Sequence, residues 1–419
     1  MESPANETRK RSRTAWLLAT LCALIVIATL AIPMYVIRPF VPQDAHALAF
    51  ALTVRGAAPW LSAVCAVLAL GALIWGWKAL RLTGKIVLPL FLIVTAAGAY
   101  LTHINIFEVM FKPYPSPAFG SPSEAKVDAD DKVLAVTVNG ESHAFPIRTM
   151  GYHHIVNDVV AGTPIAATYC TLCHTGLVWS RLFALPGEKE PSVLTFRLAG
   201  INNGNAVLRD EQTNSIWQQS TGEAIFGPLK GKHLNLVHSD ELTFALWRTE
   251  QPNGVVLKPE APYEAEYDPK DWETHVERTH TVVDTSKSGI GPHELMLGIQ
   301  ASWSSPGKAY PIKSILNSGL IEDRVGDDPV LIVVGPDHNS IRAFRAQFPD
   351  ETTPLTFVRT TKPDGDALMT DTESSSTWNF HGCAISGKYV GRCLEPIASH
   401  KDFWFDWLNH NPSTTVFRN

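Results

Sequence analysis

The sequence predicts an α+β or mainly β chain, in which two tandem, similar β-rich lobes follow an N-terminal region of three transmembrane helices. Three observations carry that prediction. The first quarter of the 419 residues holds three long apolar stretches. The remainder breaks into short β-prone runs such as VLAVTV, PIAATY, SVLTFRL and VLIVVG, separated by glycine and proline. That remainder also matches itself at long period.

The apolar stretches cover about residues 16–37, 60–77 and 87–107, each near the roughly 20 residues that cross a bilayer. The first is long and lacks a small-residue cleavage site, so it reads as a retained anchor and not a removable signal. Arg9, Lys10, Arg11 and Arg13 precede it, and Lys78, Arg81 and Lys85 fill the loop between the second and third. Both clusters belong on the cytoplasmic side of an inner or plasma membrane, which puts everything after about Lys112 in the periplasmic or extracellular space. The partner this implies is the lipid bilayer. With a net charge of -6 and its basic cluster set against an apolar run, the chain carries no nucleic-acid patch.

Pro113, Pro115, Pro117 and Pro122 mark residues 112–125 as a linker, because proline fixes the backbone and removes donors. Domain organisation is then a membrane region over 1–111, the linker, a first lobe over 126–260, a connector over 261–290 and a second lobe over 291–419. The lobes align on Asp210, Ser215 and Trp217 with Asp371, Ser376 and Trp378, and on Gly222, Gly227, Gly231 and Trp247 with Gly382, Gly387, Gly391 and Trp407. Repeated glycines in β-rich sequence mark turns, and a repeated tryptophan marks core. Helical pieces are expected over Ile147–Val160 and Asp402–His410.

Outside the membrane, thiols meet oxidising conditions. Cys22 and Cys65 lie within spans and read as apolar filler. Cys383 and Cys393 flank a turn region between repeated glycines and read as a structural disulfide. Cys170 and Cys173 lie in TYCTLCHTG, Thr168 to Gly176, inside a β-prone run.

Four readings of that motif stand. Cys170-Thr-Leu-Cys173-His174 has the form of a c-type haem attachment site. Cys170 and Cys173, with His174 or His153 adding imidazole, are also a soft sulfur and nitrogen set for copper or zinc. Alternatively Cys170 attacks as a thiolate helped by a nearby imidazole, with Asp210 read first as the cap of a turn and second as a base. The fourth reading is structural. The second lobe has Val334-Gly-Pro-Asp-His338 at the corresponding place, so the first lobe is the working half.

HHIVND from His153, PIAATYCTLCHTGLVWSR and GNAVLRDEQTNSIWQQSTGEAIFGPLKGKHL, with FWFDWLNHNPSTTVF near the end, resemble the family known as domain of unknown function 3179 (DUF3179). The resemblance covers most of residues 130–419, and the three spans lie outside it. Members usually carry YCPLCGT, and some replace the second cysteine with threonine, which implies Cys170 with His153 as the centre. The resemblance brings no assigned activity. The expectation is a membrane-anchored extracytoplasmic protein with a Cys/His centre that binds a transition metal or does thiol redox chemistry, the alternatives being a c-type haem protein and a non-catalytic binding or assembly module. The small-molecule substrate or protein partner is not readable from the sequence.

Overall fold

The computed structural model describes residues 4–114, 116–300, 306–360 and 366–418. Pro115 of the linker therefore lies outside the described residues. The chain divides into two compact units: residues 1–110 with 199–202, and residues 111–198 with 203–419.

The first unit is built on three helices long and apolar enough to cross a membrane, α1 (Pro4–Val36), α2 (Ala45–Gly76) and α3 (Leu82–Leu101). Several boundaries differ from the hydropathy reading, α1 already starting at Pro4. Helix α2 starts well before Trp60 because the Asp44 side chain accepts the backbone N–H groups of His46 and Ala47, an N-cap that hydropathy does not register. Helix α3 starts at Leu82 and stops at Leu101. Small residues let the helices approach: a Cβ on Gly98 would lie 2.3 Å from Val26, and one on Gly76 2.6 Å from Ala15. Cys22 and Cys65 share one packed cluster with Val26 and Ala69.

In the second unit the first lobe runs β1 (Lys132–Val138), β2 (Glu141–Pro146), α4 (Ile147–His153), β3 (Ile155–Val160), β4 (Thr163–Cys170) and β5 (Thr175–Ser180). It closes with β6 (Asp240–Thr243), α5 (Phe244–Glu250) and β7 (Val255–Leu257). Strand β1 pairs antiparallel with β2 and β6, and β7 lies parallel to β2. Strands β3, β4 and β5 form a second antiparallel sheet. The expected helix Ile147–Val160 thus holds only to His153. His154 sits at φ 62°, its N–H closing on Met150 O, and the β-branched run Ile155–Val160 is better placed as a strand on β4.

The second lobe repeats this order as β8 (Leu295–Ile299), β9 (Lys308–Pro311), α6 (Ile312–Ser318), β10 (Leu320–Val325), β11 (Asp328–Val334), β12 (Ile341–Arg345), β13 (Ser399–Phe403), α7 (Trp404–His410) and β14 (Thr415–Val416). Here β9 pairs antiparallel with β8 and parallel with β14. Helices α4 and α6 both start after a proline, Pro146 and Pro311, and each ends on a residue of positive φ, His154 and Gly319. Asp402 falls in β13, so the expected C-terminal helix begins two residues later, at Trp404.

One core joins the lobes: Val133, Leu242, Phe244 and Trp247 of the first pack with Leu331, Val333, Phe344 and Trp378 of the second. The proline-rich segment is partly structured. Tyr114 is buried and its hydroxyl bonds Lys258 O, while Phe119–Gly120 adds a short strand to β7.

Candidate functional site

Strands β4 and β5 form a hairpin whose turn is Thr171–His174, with Cys170 paired to Thr175 at its base. The Sγ atoms of Cys170 and Cys173 lie 2.7 Å apart, unbonded. Cys173 is fully buried and Cys170 is 3% exposed. The Cys173 thiol donates to Gly204 O at 3.2 Å and accepts Asn205 Nδ2 at 3.3 Å.

The second lobe supplies the other wall. At the junction of β13 and α7, the Phe403 N–H bonds Cys173 O at 2.8 Å. Asp402 accepts the Thr175 hydroxyl at 2.8 Å, and Asp406 accepts Asn205 Nδ2 at 2.9 Å. Asp406 Oδ1 has no hydrogen bond and faces His410 Nε2 at 3.5 Å. Gln219 braces the hairpin by donating to Thr168 Oγ1 and Thr175 O, both at 3.1 Å.

Cys170, Cys173, Asp402 and Asp406 make a buried cluster rich in acids. Burial pushes the Cys173 thiol well above its ordinary value, with Cys170 and the Asp406 charge adding to it. Burial and Asp406 together push Asp402 well up. His400, which is partly buried, is pushed down by desolvation to about 4 and is neutral at pH 7.

The imidazoles named from sequence are engaged elsewhere. His153 donates from Nδ1 to Lys112 O at 2.7 Å, and its Nε2 meets the Tyr267 hydroxyl at 3.2 Å. His174 follows Cys173 at φ 59°, stacks on Trp272, and has Nδ1 on the Tyr169 hydroxyl at 3.2 Å and Nε2 on Glu273 at 2.7 Å. Glu273 also takes Lys132 Nζ at 2.6 Å; against the opposing effect of burial, these two partners hold its carboxyl well below the usual range. The two sulfurs meet, but His153 and His174 do not join them as ligands. Among the described residues, the group with three ligand atoms within 4.8 Å of one another is the surface set Asp128, Asp130 and Asp131.

Asp210, a candidate base, has both oxygens engaged within its own turn, by the N–H and hydroxyl of Thr213 and by Trp217 Nε1 at 2.8 Å. Asp371 makes the same bonds to Ser374 and Trp378. Cys383 and Cys393 are joined by a disulfide.

Sequence reasoning missed Asn205, Gln219, Glu273, Asp402 and Asp406. A signal for the last two was present: they are acids inside the aromatic run KDFWFDWLNH, where the first lobe has Leu242 and Leu246 in LTFALWRT.

No curated protein and no solved structure matches the chain. The family model described as Protein of unknown function (DUF3179) matches residues 114–414, which takes in the first lobe, all but the last five residues of the second and every residue of the site, and the chain therefore belongs to the DUF3179 family.

Proposed function

We propose that Cys170 and Cys173 are a dithiol–disulfide couple, and that the protein is a membrane-anchored thiol oxidoreductase acting on a small disulfide. The observation that carries the reading is the 2.7 Å separation of the sulfurs. Closing to a bonded pair needs a movement of only about 0.7 Å, against the usual disulfide length of about 2.05 Å. Cys170, with its remaining exposure, is the entry sulfur, and the fully buried Cys173 is the resolving one. Narrow access favours a low-molecular-weight disulfide over a protein loop.

The exchange balances without another reactant. Cys170 sulfur bonds one sulfur of the substrate, whose other half leaves as a thiolate and takes up the Cys170 proton. Cys173 then gives up its proton and attacks Cys170, and the second half leaves as a thiol. Two protein thiols and one disulfide become one protein disulfide and two thiols.

The basic clusters at Arg9–Arg13 and at Lys78, Arg81 and Lys85 support a cytoplasmic N-terminus with the DUF3179 region outside the cytoplasm, where disulfide chemistry is at home. The matched element order and the shared Asp–Trp turns support an origin of the lobes by duplication.

The test uses the full chain in detergent, reduced and mixed with a small aromatic disulfide. Cys173→Ser is expected to trap a mixed disulfide at Cys170, while Cys170→Ser traps none and the native pair closes with release of two thiols. A native protein that releases no thiol, or that carries stoichiometric copper or zinc shielding both sulfurs, overturns the redox reading; in the second case the centre holds a metal.

A further inference from the structure

We infer that Asp406, carried by the second lobe, is the base that receives the Cys173 proton, and that His410 is its outlet toward solvent. The inference rests on the dithiol reading and adds the route by which the buried thiol is activated. Cys173 has no exposure, so water cannot take its proton directly. Cys170 is no help as a base, since it is already consumed in the mixed disulfide when Cys173 must attack.

Geometry singles out Asp406 from the groups nearby. Its Oδ2 and the Cys173 sulfur share the same amide, Asn205 Nδ2, at 2.9 and 3.3 Å. Its Oδ1 is buried and accepts no hydrogen bond, so a lone pair is open to a proton. That same oxygen faces His410 Nε2 at 3.5 Å one helical turn on, and the His410 side chain reaches 13% exposure where Asp406 has none. Asp402 is the alternative base, but its Oδ1 is already occupied by the Thr175 hydroxyl. The charged and titratable groups facing Cys173 and Asp406 are Cys170 on the hairpin, His400 and Asp402 on β13, and His410 on α7. Lys401, between His400 and Asp402, is closed on Glu241 at 2.8 Å.

The first lobe has Leu242 and Leu246 where the second has Asp402 and Asp406, and the second has Val334 and Asp337 where the first has Cys170 and Cys173. Each lobe has kept one half of the chemistry, and the halves face each other. In the closing step Cys173 transfers its proton to Asp406, its sulfur bonds Cys170, and the bond from Cys170 to the substrate sulfur breaks. Asp406 then returns the proton by way of His410, so the departing thiolate leaves protonated.

Stopped-flow mixing of the reduced full chain with a small aromatic disulfide separates the first thiol release, at Cys170, from the second, at closure. Asp406→Asn is expected to lower the ratio of the second rate to the first by at least about tenfold and to flatten the pH profile of the second step. His410→Gln, at the rim and less exposed to folding defects, is expected to change the ratio in the same sense, and Asp406→Glu to recover part of it. Native ratios and pH profiles in both Asp406→Asn and His410→Gln overturn the relay while leaving the dithiol intact. A native protein with no first release defeats the dithiol reading itself.

Discussion

Cys173 and Asp337 hold the same place in two matching hairpin turns. Each precedes a histidine of positive φ, His174 at 59° and His338 at 57°. The histidine N–H closes the turn on the oxygen three residues back, Thr171 at 3.3 Å and Gly335 at 3.1 Å. Each turn is also met by the strand-to-helix junction of the opposite lobe, Phe403 at Cys173 and Thr243 at Asp337. The lobes therefore exchange equivalent contacts, but one exchange surrounds a dithiol and the other a hydrogen-bonded carboxylate.

That carboxylate holds its turn together. Asp337 accepts the Thr243 hydroxyl at 2.7 Å, the Ser340 hydroxyl at 2.6 Å and the Asn339 and Ser340 N–H groups. Asp337→Ala leaves those donors without an acceptor and is expected to destabilise the protein by about 1–3 kcal/mol. Thermal unfolding of the full chain measures the loss, and the alkylation rate of Cys170 in the folded variant should stay native.

Asp210 and Asp371 should behave as twins. Each receives a fully buried indole N–H, from Trp217 or Trp378, plus the N–H and hydroxyl of its own turn. Alanine at either position is expected to cost about 2–3 kcal/mol, since a buried indole donor is then unpaired. Equal losses of stability with thiol exchange retained would place both in the turn; loss of exchange in folded Asp210→Ala alone would restore Asp210 as a base.

This pair also marks how far the sequence could be read. Matching Asp–Trp spacings were legible because they are local, a carboxylate and the indole it receives lying seven residues apart. So were the spans and the two cysteines, which rest on composition and spacing. The wall of the site was not, because Asp402 and Asp406 reach Thr175 and Asn205 from more than two hundred residues away and Glu273 reaches His174 from the connector. His153 is the reverse case. The family resemblance paired it with Cys170, but the positive φ of His154 turns the chain, and the His153 ring meets Lys112 and Tyr267.

The Cys383–Cys393 disulfide closes a loop of sequence separation 10 in the lobe that has no dithiol. Loop closure of that size stabilises by up to about 3 kcal/mol in the chain-entropy account. Replacing both cysteines with serine should lower the unfolding midpoint accordingly and leave two thiols, not four, to titrate in the reduced region after Lys112. Exchange at Cys170 should persist, which separates the staple from the couple.

Asp268 gives the stability a pH dependence of known sign. Burial pushes its carboxyl up to about 6 against the pull of Arg148, and its Oδ2 has no hydrogen bond. The oxygen occupies the space over Gly151, where a Cβ would lie 1.9 Å from it and 2.8 Å from Thr171 of the dithiol turn. Because the folded value lies above the unfolded one near 3.8, the protonated carboxyl's contribution is fully present below pH 3.8 and is lost as pH rises through about 6. A shift of about two units corresponds to at most about 3 kcal/mol. Asp268→Asn, which keeps the shape without the charge, should match the native protein near pH 4 and exceed its stability above pH 6. Unfolding midpoints of the two proteins across pH 4–8 decide it: a constant offset over that range would mean that the Asp268 charge is not what the fold opposes.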